Sequence, residues 1–122
     1  LPDPSELGSA GSFFKNPVVS PLEFAAVIDA VRRDFGPEVE VPHYILSGGF
    51  IKIPAAWLID RCGFKGASEG GAAVYEKQPL VIVNASGNAS PDDVIALENR
   101  IISAVSTRFG VELHPEVEHL QH

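Results

Sequence analysis

The chain has 122 residues, of which 45% are hydrophobic and 20% charged, the size and composition of one globular domain. Sixteen acidic and nine basic residues give a formal net charge of −7, so general binding to nucleic acid is not expected, because the phosphate backbone would be repelled. No apolar run approaches the ~20 residues needed to cross a membrane. The single cysteine, Cys62, excludes an internal disulfide and favours a reducing compartment, provisionally the cytoplasm.

Residues 1–12 are rich in proline, glycine and serine, carry no periodic apolar pattern and are predicted to form a lead-in loop. The chain begins with Leu1 and not with Met, from which we expect it to have been cut from something longer. Residues 1–122 are interpreted as a single domain.

A first helix is predicted after the sequence SPLE. Ser20 can cap this helix, Pro21 suits its first position, and Glu23 completes a capping box three residues after Ser20. Gly36 and Pro37 end the helix. Its apolar stripe consists of Phe24, Val27, Ile28, Val31 and Phe35.

Two further helices are predicted later in the chain. The shorter one starts at Pro54 and stops at Gly63, while the longer one follows a second Ser-Pro cap at Ser90 and stops at Gly110. Their apolar stripes are Ala55, Leu58, Ile59 and Cys62 in the shorter helix and Val94, Leu97, Ile101, Val105 and Phe109 in the longer one.

Short strands account for most of the remaining sequence. A Ser-Gly-Gly turn at 47–49, between β-branched and aromatic residues, indicates a hairpin. The segment 70–85 contains two strand-like runs, of which Leu80–Val83 is continuously apolar and therefore predicted to be central. The tail has a short alternating segment typical of an edge strand. Together these features predict an α+β fold, with three helices packed on a small sheet of short strands.

Three patterns resemble catalytic or metal sites, and each has a simpler interpretation. Ser68 in GASEG matches the G-x-S-x-G nucleophile elbow, but the predicted order of helix and strand is the reverse of what an elbow requires, which favours a loop. His114, His119 and His122 near the C-terminus could bind zinc, yet they fit a frayed polar terminus better, and no metal site is predicted. Cys62 is interpreted as a packing residue.

The stretch GSFFKNP is the most informative in the chain. One interpretation is a rigid polar loop that displays Ser12 and Asn16, with Phe13 and Phe14 as its anchors. The alternative is a buried strand in which Ser12 and Asn16 merely satisfy backbone groups. The chemistry of the residues favours neither. For Glu116, spacing alone favours a solvated edge residue over a positioned acid–base group.

These residues, taken with others along the chain, resemble the C-terminal domain of the UDP-N-acetylenolpyruvoylglucosamine reductase (MurB) family of bacterial cell-wall enzymes. The resemblance is carried, in order, by LPDP, GSFFKNPVVS, AAWLIDRCGFKG, GGAAVYEKQPLVIVN and FGVELHPEVE, which together cover nearly the whole chain. It implies the reduction of the enolpyruvyl ether of a UDP-sugar to UDP-N-acetylmuramate for peptidoglycan synthesis. It also implies that NADPH reduces a bound FAD, which passes hydride to the enolpyruvyl C3.

The resemblance further implies roles for individual residues. Ser12 matches the serine that protonates C2 of the substrate. Glu116, in PEV, matches a late glutamate that stabilises or protonates the enolic intermediate. The positions associated with substrate binding are matched by Asn16, Tyr44, Lys52 and Gln78.

The chain carries no G-x-G-x-x-G or Walker loop, so FAD and NADPH are expected to bind N-terminal domains of a full-length enzyme, and this fragment alone is expected to be inactive. The expected partners are UDP-N-acetylglucosamine enolpyruvate, with Tyr44 and Lys52 at its UDP portion, and those FAD-binding domains. One alternative is a stand-alone module that binds UDP-sugars or anions without catalysis. Another is an interaction domain, in which Ser12 and Glu116 would lie apart or be buried.

Overall fold

The computed structural model describes residues 12–64, 68–69, 72–74, 81–84 and 91–115. Three α-helices lie in these segments, namely α1 (Pro21–Phe35), α2 (Ala55–Arg61) and α3 (Pro91–Phe109). The strands are β1 (Ser12–Phe13), β2 (Val18–Val19), β3 (Tyr44–Ile45), β4 (Ile51–Lys52), β5 (Ser68–Glu69), β6 (Ala72–Val74) and β7 (Val81–Asn84).

The strands form two antiparallel sheets. One has four strands in the order β1-β7-β6-β5, and the other has three in the order β2-β4-β3. A single 3₁₀ turn at Ser47–Gly49 joins β3 to β4. Helix α3 packs against β5 and β6 of the larger sheet, while α1 contacts β2 of the smaller one.

Helix α1 begins where its sequence predicts. The Ser20 backbone N–H donates to the Glu23 carboxylate at 2.8 Å, and the Glu23 N–H donates to the Ser20 hydroxyl at 3.2 Å. This reciprocal pair satisfies two of the N–H groups that a helix start leaves without partners. Hydrogen bonding of the Glu23 carboxylate with Ser20, first with its backbone and then with its side chain, also lowers the pKa of Glu23. The helix ends at Gly36, whose φ of 100° favours glycine.

The core lies between the three helices and the two sheets. The predicted stripe of α3 is buried along its whole length, and Phe14 enters the same core from the chain before β2, with 1% of its surface exposed. Burying a side chain of this size stabilises the fold by roughly 1.5–3 kcal/mol. Among the hydrophobic residues whose burial the structure describes, those with no exposed surface are Val27, Val31, Ile53, Ala55, Leu58, Ile59, Leu97, Ile101 and Val105.

The fold predicted from the sequence is confirmed in its class, its three helices and its 47–49 hairpin. Strand β7 is central, between β1 and β6, as its apolar sequence predicted. The strands are divided between two sheets. The prediction of a loop at Ser68 was wrong, because Ser68 pairs with Ala73 in a β5–β6 hairpin. Ser90 lies outside the described residues.

Candidate functional site

Tyr44 and Lys52 lie directly opposite each other in the β3–β4 hairpin. Lys52 is also the register partner of Val18 in β2, so a row of three residues crosses the sheet. Directly opposed residues of antiparallel strands project from one face, with their Cβ atoms ~4.5–5.5 Å apart. The next row contains Val19 and Ile51, which are both buried. The Tyr44–Lys52 row therefore belongs to the opposite, open face of this sheet.

The open face combines one cation with apolar surface. Lys52 is half-buried at its centre. Phe50 belongs to the same face, because side chains alternate along a strand and Ile51, between Phe50 and Lys52, is buried. The most exposed side chains of the open face are Tyr44 (62%), Val18 (51%) and Phe50 (51%).

Asn16 ties the loop after β1 to the start of α2. Its side-chain oxygen accepts a hydrogen bond from the Ala55 backbone N–H at 2.9 Å. Pro54, the N-cap residue of α2, makes no side-chain cap, so Asn16 supplies one from a distant part of the chain. A second bond, from the Ile53 N–H to the Pro17 carbonyl at 3.0 Å, fixes the same junction. The amide nitrogen of Asn16 makes no hydrogen bond to the described part of the chain.

Ser12 and Phe13 of GSFFKNP form strand β1, so the predicted lead-in loop of residues 1–12 was wrong at Ser12. Ser12 pairs with Ile82 of β7. Two residues later, Phe14 pairs with Pro115 in an isolated antiparallel bridge. The Lys15 N–H donates to the His114 carbonyl at 2.9 Å. Phe14 is buried, which confirms its role as an anchor. The stretch thus joins an anchored strand to a loop in which Asn16 satisfies a backbone group.

The structure brings together some of the predicted site residues. Tyr44 and Lys52 form one cross-strand pair, and Asn16 lies in the loop that leads into β2, the other neighbour of the Lys52 strand. For Ser12 the structure describes the backbone pairing only. Ser12 lies in the four-stranded sheet, which the loop containing Asn16 connects to β2.

Two predicted site residues, Gln78 and Glu116, lie outside the described residues. Pro115 immediately precedes Glu116 and lies opposite Phe14, two residues from Ser12 in the chain. The described backbone therefore brings the segment before Glu116 to the same stretch that carries Ser12.

A second polar region lies at the C-terminal end of α1. The guanidinium carbons of Arg61 and Arg108 lie 5.7 Å and 5.2 Å from the centre of the Phe35 ring. The hydrogen bond and charge of Arg33 lower the pKa of Asp34, and the hydrogen bond and charge of Asp34 raise that of Arg33. A cleft of about 450 Å³ beside these groups is lined by Arg33, Asp34, Cys62, Ala104, Thr107 and Arg108.

Cys62 in this cleft behaves as a packing residue. Burial raises the pKa of its thiol, and this outweighs the opposing effect of the Arg108 charge. A raised pKa keeps the thiol protonated at neutral pH, whereas a nucleophilic cysteine needs its thiolate. The chemistry of Cys62 thus agrees with the sequence-based interpretation.

Neither a metal cluster nor a membrane span is found within the part of the chain that the structure describes. No three side chains of His, Cys, Asp or Glu come together there in a way that could hold a metal ion. None of the described helices is both long enough and apolar enough to cross a bilayer. His119 and His122 lie outside the described residues.

The comparison with known protein families covers nearly the whole sequence. The family model described as "UDP-N-acetylenolpyruvoylglucosamine reductase, C-terminal domain" matches residues 3–120. The chain belongs to this family. The match confirms the resemblance seen in GSFFKNP and the other segments, and it agrees with the α+β fold of the described residues.

Individual reductases of this family are similar along the same region. The one from Paraburkholderia xenovorans is 53% identical over 116 residues, which are 95% of this chain and 31% of the relative. The one from Pasteurella multocida is 45% identical over 96% of this chain and 32% of the relative. The one from Bacteroides fragilis is 44% identical over 96% of this chain and 33% of the relative. The chain spans about a third of the length of these reductases.

Two features of the site were not predicted from the sequence. The cap that Asn16 gives to α2 joins positions far apart in the chain, so no local pattern could reveal it. The position of Phe50 did have a signal in the sequence. Side chains alternate along a strand, so a residue two positions before Lys52 lies on the same face as Lys52. Counting from Lys52 along β4 would have found Phe50 on the open face.

Proposed function

We propose that this chain is the substrate-binding and proton-donating domain of a reductase that converts UDP-N-acetylenolpyruvoylglucosamine to UDP-N-acetylmuramate in peptidoglycan synthesis. The observation that carries the proposal is the cross-strand pair of Tyr44 and Lys52 on an open sheet face. Membership of the reductase family supports it. The half-buried Lys52 on this open face provides a local site for an anion in a chain whose net charge is −7.

Lys52 binds the diphosphate of the substrate in this proposal. Its ammonium group carries three donors and meets phosphate oxygens as a point charge. No ion pair joins Lys52 to any described carboxylate, so the charge is available to a ligand. Tyr44, directly across the hairpin, offers its ring and hydroxyl to the same ligand.

Asn16 and Gln78 complete the proposed substrate contacts. The oxygen of the Asn16 side chain is held by α2, which leaves its amide nitrogen as a donor in a fixed position. Because one short loop connects Asn16 to the strand beside Lys52, both can meet parts of one extended ligand. Gln78 is proposed on the family resemblance alone.

Ser12 acts as the proton donor in this proposal, and Glu116 supports the intermediate. Once a hydride has been added to C3, negative charge spreads from C2 into the substrate carboxylate, so an acid is needed beside C2. A serine hydroxyl is a weak acid and serves only if it is held in place and backed by a relay. The pairing of β1 with β7 and the bridge from Phe14 to Pro115 support such a fixed position.

The family resemblance also implies FAD and NADPH, and the starts of α1 and α2 do not fit them. A dinucleotide diphosphate is commonly held by free N–H groups at a helix start. In this chain the starts of α1 and α2 are already bonded to the side chains of Ser20 and Asn16. We therefore assign both cofactors to the part of the full-length reductases that this chain does not span. We further propose that the full-length protein works in the cytoplasm.

The proposal is tested by removing the positive charge from Lys52 in the full-length protein that contains this chain. The Lys52→Gln variant should bind UDP about tenfold more weakly, since a charged hydrogen bond contributes roughly 1.5–3 kcal/mol. The matched control is Arg32→Gln, which removes the same charge from an exposed position in the last turn of α1. Isothermal titration calorimetry of UDP measures both.

The control defines the outcomes. An unchanged affinity in Arg32→Gln together with a weakened one in Lys52→Gln would support a local site on the open face. Equal losses in both variants would indicate general electrostatic attraction, and no loss in Lys52→Gln would rule out the proposed diphosphate contact.

A further inference from the structure

The open face carries an aromatic side chain that the proposed function does not use. Phe50 is 51% exposed, although it is the largest apolar side chain on that face. We propose that Phe50 contacts the uracil base of the UDP-sugar and, with Tyr44, determines the preference of the site for a nucleoside diphosphate. This inference rests on the proposed function, in which Lys52 binds the diphosphate.

The position of Phe50 is set by the hairpin register. The Leu46 N–H donates to the Phe50 carbonyl at 2.7 Å, which continues the β3–β4 ladder beyond the Tyr44–Lys52 pair. Ile51 is 8% exposed and faces the core, so its two neighbours face outward. Phe50 and Lys52 are therefore side by side on one face, ~6.6–6.8 Å apart along the strand.

Phe50 and Tyr44 are diagonal neighbours across the hairpin. Such neighbours have their backbones ~7–8 Å apart, within reach of aromatic side chains. Neither ring stacks on another ring of the described residues, where the aromatic pairs are Phe24–His43 and Trp57–Phe109. Both rings are therefore available to contact a flat heteroaromatic ring that lies on this face.

The turn of the hairpin leaves the space beside the Phe50 ring free of a side chain. Gly48 has a φ of 81°, and a Cβ added at this position would lie 3.6 Å from Cδ2 of the ring. Any larger residue would therefore contact the ring, and the positive φ itself favours glycine.

The charge pattern of the face favours a nucleotide over a purely apolar ligand. Lys52 lies between Val18 and Tyr44 in one row, so an occupant of the apolar surface must also accept a positive charge. A nucleoside diphosphate has a flat base joined to an anionic group and meets both requirements. Nucleotide bases stack on aromatic side chains, and replacing such a side chain with alanine typically weakens binding about tenfold or more.

The experiment compares two probe ligands, UDP and inorganic pyrophosphate, in the full-length protein. The Phe50→Ala variant should bind UDP about tenfold more weakly while its affinity for pyrophosphate stays within about twofold, because only UDP carries a base. Phe50→Tyr should retain the affinity for UDP. The Lys52→Gln variant should lose affinity for both ligands.

Ile45→Ala provides the matched control. Ile45 is an apolar residue of the same hairpin, is 74% exposed and pairs with Ile51 in the other row, so its truncation should change neither affinity. If Phe50→Ala leaves UDP affinity unchanged while Lys52→Gln weakens both ligands, the base contact is wrong and the diphosphate site stands. If Phe50→Ala weakens both ligands equally, the hairpin itself has been disturbed and the base contact is again wrong. If Lys52→Gln has no effect on either ligand, the proposed function and this inference both fail.

Discussion

The side-chain oxygen of Asn16 lies 2.9 Å from the backbone nitrogen of Ala55 and accepts its hydrogen bond, so a loop residue caps a helix that begins far along the chain. This contact gives Asn16 two separable groups. The oxygen holds α2, and the amide nitrogen is the one that we propose for the substrate. Stability and ligand binding can therefore be tested independently at one position.

Replacing Asn16 with alanine should reduce the free energy of unfolding by about 1 kcal/mol, the usual contribution of a helix cap. Asn16→Asp should keep most of this stability, since a carboxylate oxygen also accepts the Ala55 N–H, and it should weaken UDP binding because it removes the amide donor and adds a negative charge. Urea unfolding and calorimetric titration measure the two effects. Equal stability of the alanine and aspartate variants would contradict the capping role.

The capping box of α1 predicts a pH dependence. Hydrogen bonds from Ser20, first from its backbone, lower the pKa of Glu23 in the folded state. A lowered folded pKa gives stability that is present above the unfolded pKa of about 4.3 and is lost as the pH falls through the folded pKa. Glu23→Gln keeps a hydrogen-bond acceptor but has no charge to titrate. The difference in unfolding midpoint between wild type and this variant should therefore shrink as the pH falls below about 4.3, and a difference that stays constant with pH would contradict it.

Two apolar residues of α3 should respond very differently to truncation. Leu97 has no exposed surface, whereas Ile95 is 38% exposed on the other side of the helix. Leu97→Ala should reduce the free energy of unfolding by about 3 kcal/mol, because it leaves a cavity in the core. Ile95→Ala should cost less than about 1 kcal/mol. Similar losses in both, measured by urea unfolding, would mean that α3 is not packed by the stripe described above.

Ser12→Ala tests the proposed proton donor in the full-length protein. Anaerobic absorbance measurements follow the two proposed steps separately, namely flavin reduction by NADPH and flavin reoxidation by the enolpyruvyl substrate. We expect normal reduction and a reoxidation that is slower by about 100-fold or more, the usual effect of losing a general acid. Ser103→Ala, at an exposed position of α3, is the matched control and should leave both steps unchanged. Wild-type rates in both steps for Ser12→Ala would make GSFFKNP a structural element only.

The parts of the fold that the sequence predicts are those whose signals are local. The Ser20–Glu23 capping box lies within four residues, and the buried stripe from Val94 to Phe109 repeats within a single helix. The turn at 47–49 predicted its hairpin for the same reason. In each case the hydrogen bonds or the burial depend on neighbours a few positions away.

The parts that the sequence did not predict depend on distant pairings. The division of the strands into two sheets follows from β1 pairing with β7, while β2 pairs with β4. Short strands of two to four residues carry too little apolar pattern to specify such partners. Ser68 was assigned to a loop because the predicted order of helix and strand did not fit a nucleophile elbow, and its pairing with Ala73 was not foreseen.

The candidate site is divided in the same way. The family resemblance named Tyr44 and Lys52 without showing that they face each other, and the hairpin register supplied that relationship. Phe50 follows from the same register. The cap formed by Asn16 requires the packing of α2 against the loop, which no pattern within either segment encodes.

The connector from Lys15 to Pro17 joins the two sheets. On one side of it β1 is fixed in register with β7, and on the other side β2 is fixed in register with β4. Adding or deleting one residue there would shift the alternation of one strand by one position and exchange its inner and outer faces. The buried Val19 would then face solvent, or the buried Phe14 would leave the core. The length of this connector is accordingly as important as the amide of Asn16 within it, which caps α2. An insertion or deletion beside the exposed Lys15 should therefore be more damaging than a substitution of Lys15 itself.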